Sequence, residues 1–362
     1  MSFDFQIPVS QDVLTTVSKL DRLRGEWVSS GGIPTDRLAH LEEAATVQSV
    51  GASCRLSGIR VSDIDVAGLL RGDGVPIGDA KDILAYAAGL REKLPTADKL
   101  LTADDLKRLH GTLLAPLGEE VRPSPWRSAP LHREAFDAGG RATGRISPTS
   151  PPWLIERHVE DLLTWLEFEL RVGERHSVLV IATFVLGFLT VSPFEAYNGR
   201  MARLLISQLM RRAGYTYMPY ASVESQIEDL RAQYQDAFAT SQRRLWTGEA
   251  KLEPWVEVFL EVLDRHRKRV EVKVELERAA TTHTPLQQTI LKTVQEHGVV
   301  DAGLLIQATG ANRNTLKDNL RRLVERGLLE KSGQRRGTRY RLATVDVAKP
   351  AVLAETASAD ES

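Results

Sequence analysis

Apolar residues recur at helical spacing over most of the chain. Residues 13–27 place them among charges with the three-and-four rhythm of an amphipathic helix, and residues 34–47 repeat the rhythm after a break at Gly31-Gly32-Ile33-Pro34. Two more helices are predicted over residues 79–91 and 102–114, the second opening on Thr102 as cap with Asp104 and Asp105 in its first turn. Periodicity fails over residues 116–133, which are rich in Pro, Ser and Arg, and residues 135–146 read as a glycine-turned hairpin. Long helices return over residues 153–172 and 176–191, and a further run carries Met201, Leu204, Leu205 and Leu209 on one face before Gly214. Residues 222–241 predict another amphipathic helix. The next opens at Glu253-Pro254-Trp255 and runs towards Ala280. Its first half packs through Trp255, Phe259, Leu260 and Leu263, while its second half alternates charges with Val270 and Val274, as a solvated connector does.

The pattern changes after residues 281–285. Residues 286–296 predict a helix, 301–306 a short second one, Thr309-Gly310-Ala311 a turn, and 312–323 a third helix. Residues 328–331 and 338–342 then read as strands joined by a basic loop over 332–337. Helix, helix, turn, helix and a two-stranded wing is the order of a winged helix-turn-helix. Residues 346–362 are small, acidic and aperiodic, and are expected to be disordered.

Composition narrows the class. A chain of 362 residues, 42% of them hydrophobic, can bury cores for two or three domains. Its 47 basic and 48 acidic residues balance, so any nucleic-acid polarity must be local. The one cysteine, Cys54, excludes a disulfide within the chain and cysteine-based zinc clusters, which fits a reducing cytoplasm. The opening Met1-Ser2-Phe3-Asp4-Phe5 lacks the basic and apolar regions of a leader, and no apolar run reaches membrane-spanning length. The expectation is a cytoplasmic protein without a membrane partner, in which residues 178–189 form a core helix.

The stretch that carries chemistry runs from Val191 to Arg203, Val-Ser-Pro-Phe-Glu-Ala-Tyr-Asn-Gly-Arg-Met-Ala-Arg. It is a tight turn between two core helices. Pro193 resists extending the first helix, and Asn198-Gly199 places a cap and a bare backbone at the start of the second, where free amides favour an anion. Arg200 and Arg203, three apart, add charge at the same place. An ordinary helix-loop-helix with surface arginines would read the same way locally.

Here the chain resembles the Fic family, whose signature reads His-Pro-Phe-x-Asp/Glu-Gly-Asn-Gly-Arg-x-x-Arg. Pro193, Phe194, Asn198, Gly199, Arg200 and Arg203 match; Ser192 stands where the family has its catalytic histidine, Ala196 its metal-binding carboxylate and Tyr197 its first glycine. The resemblance extends over most of the chain. Residues 49–58 are similar to the family's inhibitory segment: Ser53 and Gly58 match, while Ser57 replaces the glutamate that pairs with the last arginine and blocks seating of the terminal phosphate. Carried over, Arg203 has lost its inhibitory partner. The hairpin stands where Fic enzymes have a flap that aligns a target segment by its strand edge, although a plain surface hairpin fits the sequence equally. A winged helix follows the catalytic domain in one branch of the family.

The resemblance implies a protein AMP-transferase, which needs a base for the target hydroxyl, Mg²⁺ on the phosphates and close backbone approach at the anion loop. Serine holds its proton too strongly to serve as the base, a role worth about 10²- to 10⁴-fold. Alanine offers no oxygen to Mg²⁺, and tyrosine brings a side chain where glycine is used. Glu195 is the one neighbouring carboxylate that could substitute. His110, His132, His158 and His176 are scattered, with no metal-ligand spacing between them, and read as surface or satisfied core residues.

The expected fold is therefore mostly α: a helical region with the inhibitory-like segment over 1–95, a Fic-like core with its hairpin flap over 96–252, a connecting helix over 253–283, a winged helix over 284–345 and a tail over 346–362. The expected function is regulatory. No residue is assigned as catalytic and none as a metal ligand; Asn198, Gly199, Arg200 and Arg203 are the candidates for a nucleotide or phosphate, with ATP the implied ligand. DNA is the expected partner of the C-terminal domain, with Asn312, Arg313, Asn314 and Thr315 at base edges and Lys317, Arg335, Arg336 and Arg339 adding charge for phosphates. The alternatives are a transferase of AMP or another phosphate-containing group with altered chemistry, acting on a protein target, and a purely structural homodimerisation module.

Overall fold

The computed structural model of the chain describes residues 5–29, 35–72, 80–117, 123–131, 133–136, 142–147, 149–245, 249–279, 284–333 and 337–343. It is mostly helical and divides into two compact units, Met1–Val270 and Glu271–Ser362.

In the first unit, helices α1 (Gln11–Ser29), α2 (Thr35–Leu56), α3 (Asp63–Arg71), α4 (Ala80–Arg91) and α5 (Ala103–Leu114) precede an antiparallel hairpin of β1 (Arg133–Phe136) and β2 (Ala142–Ser147). Then come α6 (Ile155–Val172), α7 (Ser177–Val191), α8 (Asn198–Arg212), α9 (Val223–Asp229) and α10 (Arg231–Ser241). Helix α11 (Glu253–Ala279) runs past the division between the units. The central element is α7. Every residue from Val178 to Val191 is buried, which is why its sequence is apolar on all sides. It packs between α6 and α8, and no described helix is long and apolar enough to cross a membrane.

Two glycines permit the approaches that shape the unit. A Cβ on Gly187 would lie 2.7 Å from Leu162, and one on Gly89 would lie 2.6 Å from Leu204 and 2.8 Å from Leu113. Helix α4 can therefore lie close against α8 and α5. Gly89 and Asp82 are seven residues apart on α4, hence on one face, so the contact that seats Gly89 against α8 also turns Asp82 towards it.

Several elements differ from their expected bounds. Helix α2 continues to Leu56 instead of ending near residue 47, because the small residues that read as a break are packed: Val50, Ala52, Ser53 and Cys54 are all fully buried. The single helix expected over 222–241 is two, parted at Leu230, whose φ of −103° and ψ of 19° leave the helical region. The hairpin apex at 137–141, the break at 31–34, the boundary at 281–283 and the tail at 346–362 lie outside the described residues.

The second unit contains α12 (Pro285–His297), β3 (Val299–Asp301), α13 (Ala302–Thr309), α14 (Arg313–Glu325), β4 (Leu329–Ser332) and β5 (Arg339–Leu342). The strands form an antiparallel sheet in the order β3-β5-β4. Strand β3 was not expected: three residues are too few for periodicity, and pairing with β5 makes them a strand. Each helix is capped by the residue before it. Thr284 and Gln287 form a capping box, Asp301 accepts from Leu304 N, and Asn312 accepts from Thr315 N. Leu316, Leu320 and Leu323 of α14 pack with Ile290, Val294 and Leu305 in one core.

In the first unit Trp255 is fully buried against α7, and its indole N–H donates to Ala182 O at 2.7 Å. Trp255→Ala removes both the largest buried ring of α11 and that bond. The expected loss is about 3–5 kcal/mol, read as a fall in the urea midpoint at an unchanged slope.

Candidate functional site

The turn between α7 and α8 contains two non-glycine residues in the left-handed region, Ser192 at φ 46° and Tyr197 at φ 60°. Such a conformation costs about 1–3 kcal/mol per residue and persists only where surroundings enforce it. Here they do. The buried Arg127 guanidinium donates from Nε to Ser192 O at 2.7 Å and from Nη2 to Val191 O at 3.3 Å, holding the carbonyl end of α7. It also donates to Ala129 O, Thr149 Oγ1 and Ser150 O, while Arg127 N donates to Pro193 O at 2.9 Å.

Asn198 does not cap α8. Its carboxamide turns back on the loop, accepting from Phe194 N at 3.0 Å and donating to Phe194 O at 2.7 Å, and Tyr197 occupies the cap position without a side-chain bond. Asn198 thus shapes the turn, and it is absent from the walls of the adjoining cavity. Ser192 is buried, and its hydroxyl donates to Leu189 O at 2.6 Å, back into the helix it ends. Ala196 is exposed. Glu195, also exposed, accepts from Ser128 N at 3.1 Å, which ties it to the segment before the hairpin.

His110 underlies the turn. Its ring stacks on Phe194 at 3.9 Å with 6° between the planes, Nε2 lies 3.1 Å from Ala196 O and Nδ1 lies 2.8 Å from Ser124 Oγ. Nε2 faces a carbonyl and therefore carries the proton, so Nδ1 accepts from the serine hydroxyl. Burial pushes the imidazole pKa down to about 4. Its lone pair is occupied, and the expectation of a satisfied core residue holds. His158 likewise lies 2.7 Å from Ser150 Oγ, and His176 caps α7 while contacting Asp21; His132 lies outside the described residues.

Beyond the turn lies a cavity of about 550 Å³. Its polar lining includes Ser57, Asp82, Tyr197, Gly199, Arg200, Arg203 and Arg231, and its apolar lining includes Leu56, Ile59 and Leu189. Arg203 meets no glutamate from the inhibitory-like segment, yet still touches that segment. It donates to Ser53 Oγ at 2.8 Å from Nη2, to Ser53 O at 3.2 Å, and to Ser57 Oγ at 3.5 Å, so neutral hydroxyls now stand in the inhibitory segment's contact. Gly58, at φ 88°, terminates that segment and does not line the cavity. Arg200, 2% exposed, is paired with Asp82 at 2.8 Å and lies 4.6 Å above the Tyr197 ring. Tyr197 OH donates to the same Asp82 oxygen at 2.9 Å; burial and this carboxylate both raise the phenol's pKa and keep it protonated. Asp82 was missed from sequence. It is one acid in the first turn of a helix, without a local motif, and only the packing of α4 on α8 brings it to Arg200.

The residues present do not fit a Mg²⁺ site at the family's position. Ala196 has no side-chain oxygen, Glu195 faces Ser128, and Asp82 is committed to an arginine and a phenol.

On the second unit Asn312, Arg313, Asn314, Thr315 and Lys317 lie together at the start of α14, all exposed. The Asn312 carbonyl oxygen accepts from Thr315 N at 2.9 Å and thus serves as the cap. Arg339, its side chain 54% exposed, is met by Asp301 at 2.9 Å, and Arg341 is similarly met by Glu330 at 2.7 Å. Arg335 and Arg336 lie outside the described residues.

Residues 100–210 match the model of the Fic/DOC family, so the chain carries a Fic/DOC domain there. No curated protein matches it. A Fic family protein from Desulfovibrio desulfuricans G20 shares the fold with a TM-score of 0.59 and 19% identity, over 94% of this chain and 98% of that one. A Fic domain containing signaling protein from Bacteroides thetaiotaomicron VPI-5482 has a TM-score of 0.59 and 19% identity, over 74% of this chain and 99% of that one. Fic-1 from C. elegans has a TM-score of 0.58 and 18% identity, over 74% of each chain.

The depressed His110 pKa makes stability depend on pH. The folded state binds the proton at about 4 and the unfolded chain at about 6.5, so the stabilisation is complete above the latter value and is lost as pH falls towards the former. Urea unfolding at pH 7 and pH 4.5 should give a stability loss that is smaller in His110→Gln than in the wild type by about 2–3 kcal/mol.

Proposed function

We propose that the protein is a DNA-binding transcriptional regulator whose Fic/DOC domain does not transfer AMP but keeps an anion-accepting cavity. The observation that carries the reading is the fate of the base position. Ser192 is buried with its hydroxyl spent on Leu189 O, so even a perturbed serine there has no path to a target hydroxyl. Loss of the carboxylate at Ala196 and the ring of Tyr197 in the anion loop act in the same direction. The cavity retains Gly199, Arg200 and Arg203, which support binding of a phosphate group, with ATP as the first ligand to test. Incubation with labelled ATP and cell lysate should leave no label on the protein or its targets above a Ser192→Ala control. Transfer of label that depends on Glu195 would instead establish a transferase with altered chemistry.

The second unit supports a winged-helix reading through its element order, helix-strand-helix-helix and two strands. Helix α14 would enter the major groove by its N-terminal residues, with Arg313 and Asn314 reading base edges and Asn312 fixing the helix start. Lys317 and Lys331, with the loop charges Arg335 and Arg336 and the strand charge Arg339, would neutralise phosphates. Affinity for duplex DNA, including the protein's own promoter region, should fall with salt at a log-log slope of roughly −4 to −5. Replacing Arg335 and Arg336 by alanine should flatten that slope, whereas Arg313→Ala should relax preference at one base position at a cost of about 1–3 kcal/mol. Binding that is insensitive to salt, or none, would sink this reading.

A further inference from the structure

Three arginines line the cavity; of the two on α8, Arg203 is held by neutral groups, whereas Arg200, besides a hydroxyl contact to Ser57 at 3.4 Å, is held by a carboxylate. Arg203 bonds to a carbonyl and two hydroxyls and lies 5.9 Å from the centre of the Tyr86 ring, all neutral groups, so no carboxylate meets its positive charge at first contact. Arg200 meets a carboxylate. Asp82 Oδ1 is 2.8 Å from Nη1, Asp82 O accepts from the same nitrogen at 3.3 Å, and Tyr197 closes the pair from below, its ring under Arg200 and its hydroxyl donating to Asp82. The Arg200 side chain is 2% exposed and that of Asp82 26%, so the carboxylate is the member of the pair that can move into solvent. A buried guanidinium stripped of its counter-charge is strongly unfavourable, and some anion must therefore remain against Arg200.

We infer that Asp82 is a tethered competitor for the anion site: it neutralises Arg200 in the resting protein and must leave before a phosphate-bearing ligand can seat on Arg200 and Arg203 together. This rests on reading the cavity as an anion site. Both residues line the same cavity, so the displaced carboxylate and the incoming phosphate contend for one guanidinium. The contest is one of charge and geometry. A single carboxylate from solution offers no more than Asp82 already supplies, and it lacks the advantage of tethering. A di- or polyphosphate presents more charge and enough oxygens to bond both arginines at once. Asp82 therefore sets a threshold that excludes carboxylates and reduces the apparent affinity of phosphates by the fraction of molecules in which it has swung away.

The test is calorimetric titration of the full chain with inorganic pyrophosphate and, in parallel, acetate. Asp82→Asn keeps the shape and a hydrogen-bond acceptor but removes the charge. It should bind pyrophosphate at least about tenfold more tightly than the wild type, as expected when a closed state populated in about nine molecules of ten is abolished. Tyr197→Phe removes one bond to Asp82 and should give a smaller gain in the same direction, which serves as the readout if Asp82→Asn does not fold. A structural role alone predicts a lower melting temperature in Asp82→Asn without rescue, whereas the tethered competitor predicts that pyrophosphate restores most of the loss. If wild type and both variants bind pyrophosphate equally, and binding disappears in Arg203→Ala, the anion site stands and the competitor is overturned. If neither wild type nor the folded variants bind pyrophosphate, the anion site itself is overturned and the inference falls with it. Acetate binding to the wild type with an affinity like that of pyrophosphate would also overturn it.

Discussion

The arrangement of the site depends on the grip of Arg127 on the end of α7. A helix that terminates inside a protein leaves carbonyls in need of partners, and one guanidinium bonds to both Val191 O and Ser192 O. That grip fixes the direction in which the chain leaves α7, and hence the place where α8 begins. Everything after it is a consequence of geometry: the turn of Asn198 back on Phe194, the stack of His110, and the projection of Arg200 and Arg203 from one side of α8.

The electrostatics of the cavity follow from which helices are brought to that side. Helix α2 supplies hydroxyls and α4 a carboxylate, so two arginines three residues apart experience different surroundings. A hydroxyl contact orients a guanidinium without opposing its charge, whereas an ion pair sets a carboxylate against it. The same distinction operates in the second unit. Asp301 and Glu330 pair with Arg339 and Arg341 at the exposed surface of the sheet, and Arg313 and Lys317 stand exposed on the helix opposite the buried leucines.

Long-period features were legible in the sequence because burial imposes them residue by residue. The apolar run of α7, the stripe on α8 and the leucines of α14 all follow from one face, or every face, meeting a core. Small residues were not legible. Serine, glycine and alanine near the end of α2 look like a loop in isolation, yet a Cβ on Gly51 would lie 2.3 Å from Asp63, so they are small because a neighbour is close. Asn198 was recognisable as important but not in its role, since an asparagine before a helix can bond forward as a cap or backward into the loop, and tertiary packing decides. Asp82 could not be found at all: it stands 118 residues before Arg200, and nothing local marks it. The strand at Val299–Asp301 was hidden for the related reason that it depends on a partner distant in the chain.

Tyr197 couples backbone to electrostatics. Its backbone occupies a conformation natural to glycine, but its ring lies under Arg200 and its hydroxyl bonds to Asp82. A substitution to glycine would relax the backbone while stripping the buried arginine of its aromatic floor and its carboxylate of a donor. The effect of changing any one of the three residues thus depends on the other two. Such interlocking is epistasis written in contacts: the residue that suits the backbone best at this position is not the residue that suits its neighbours.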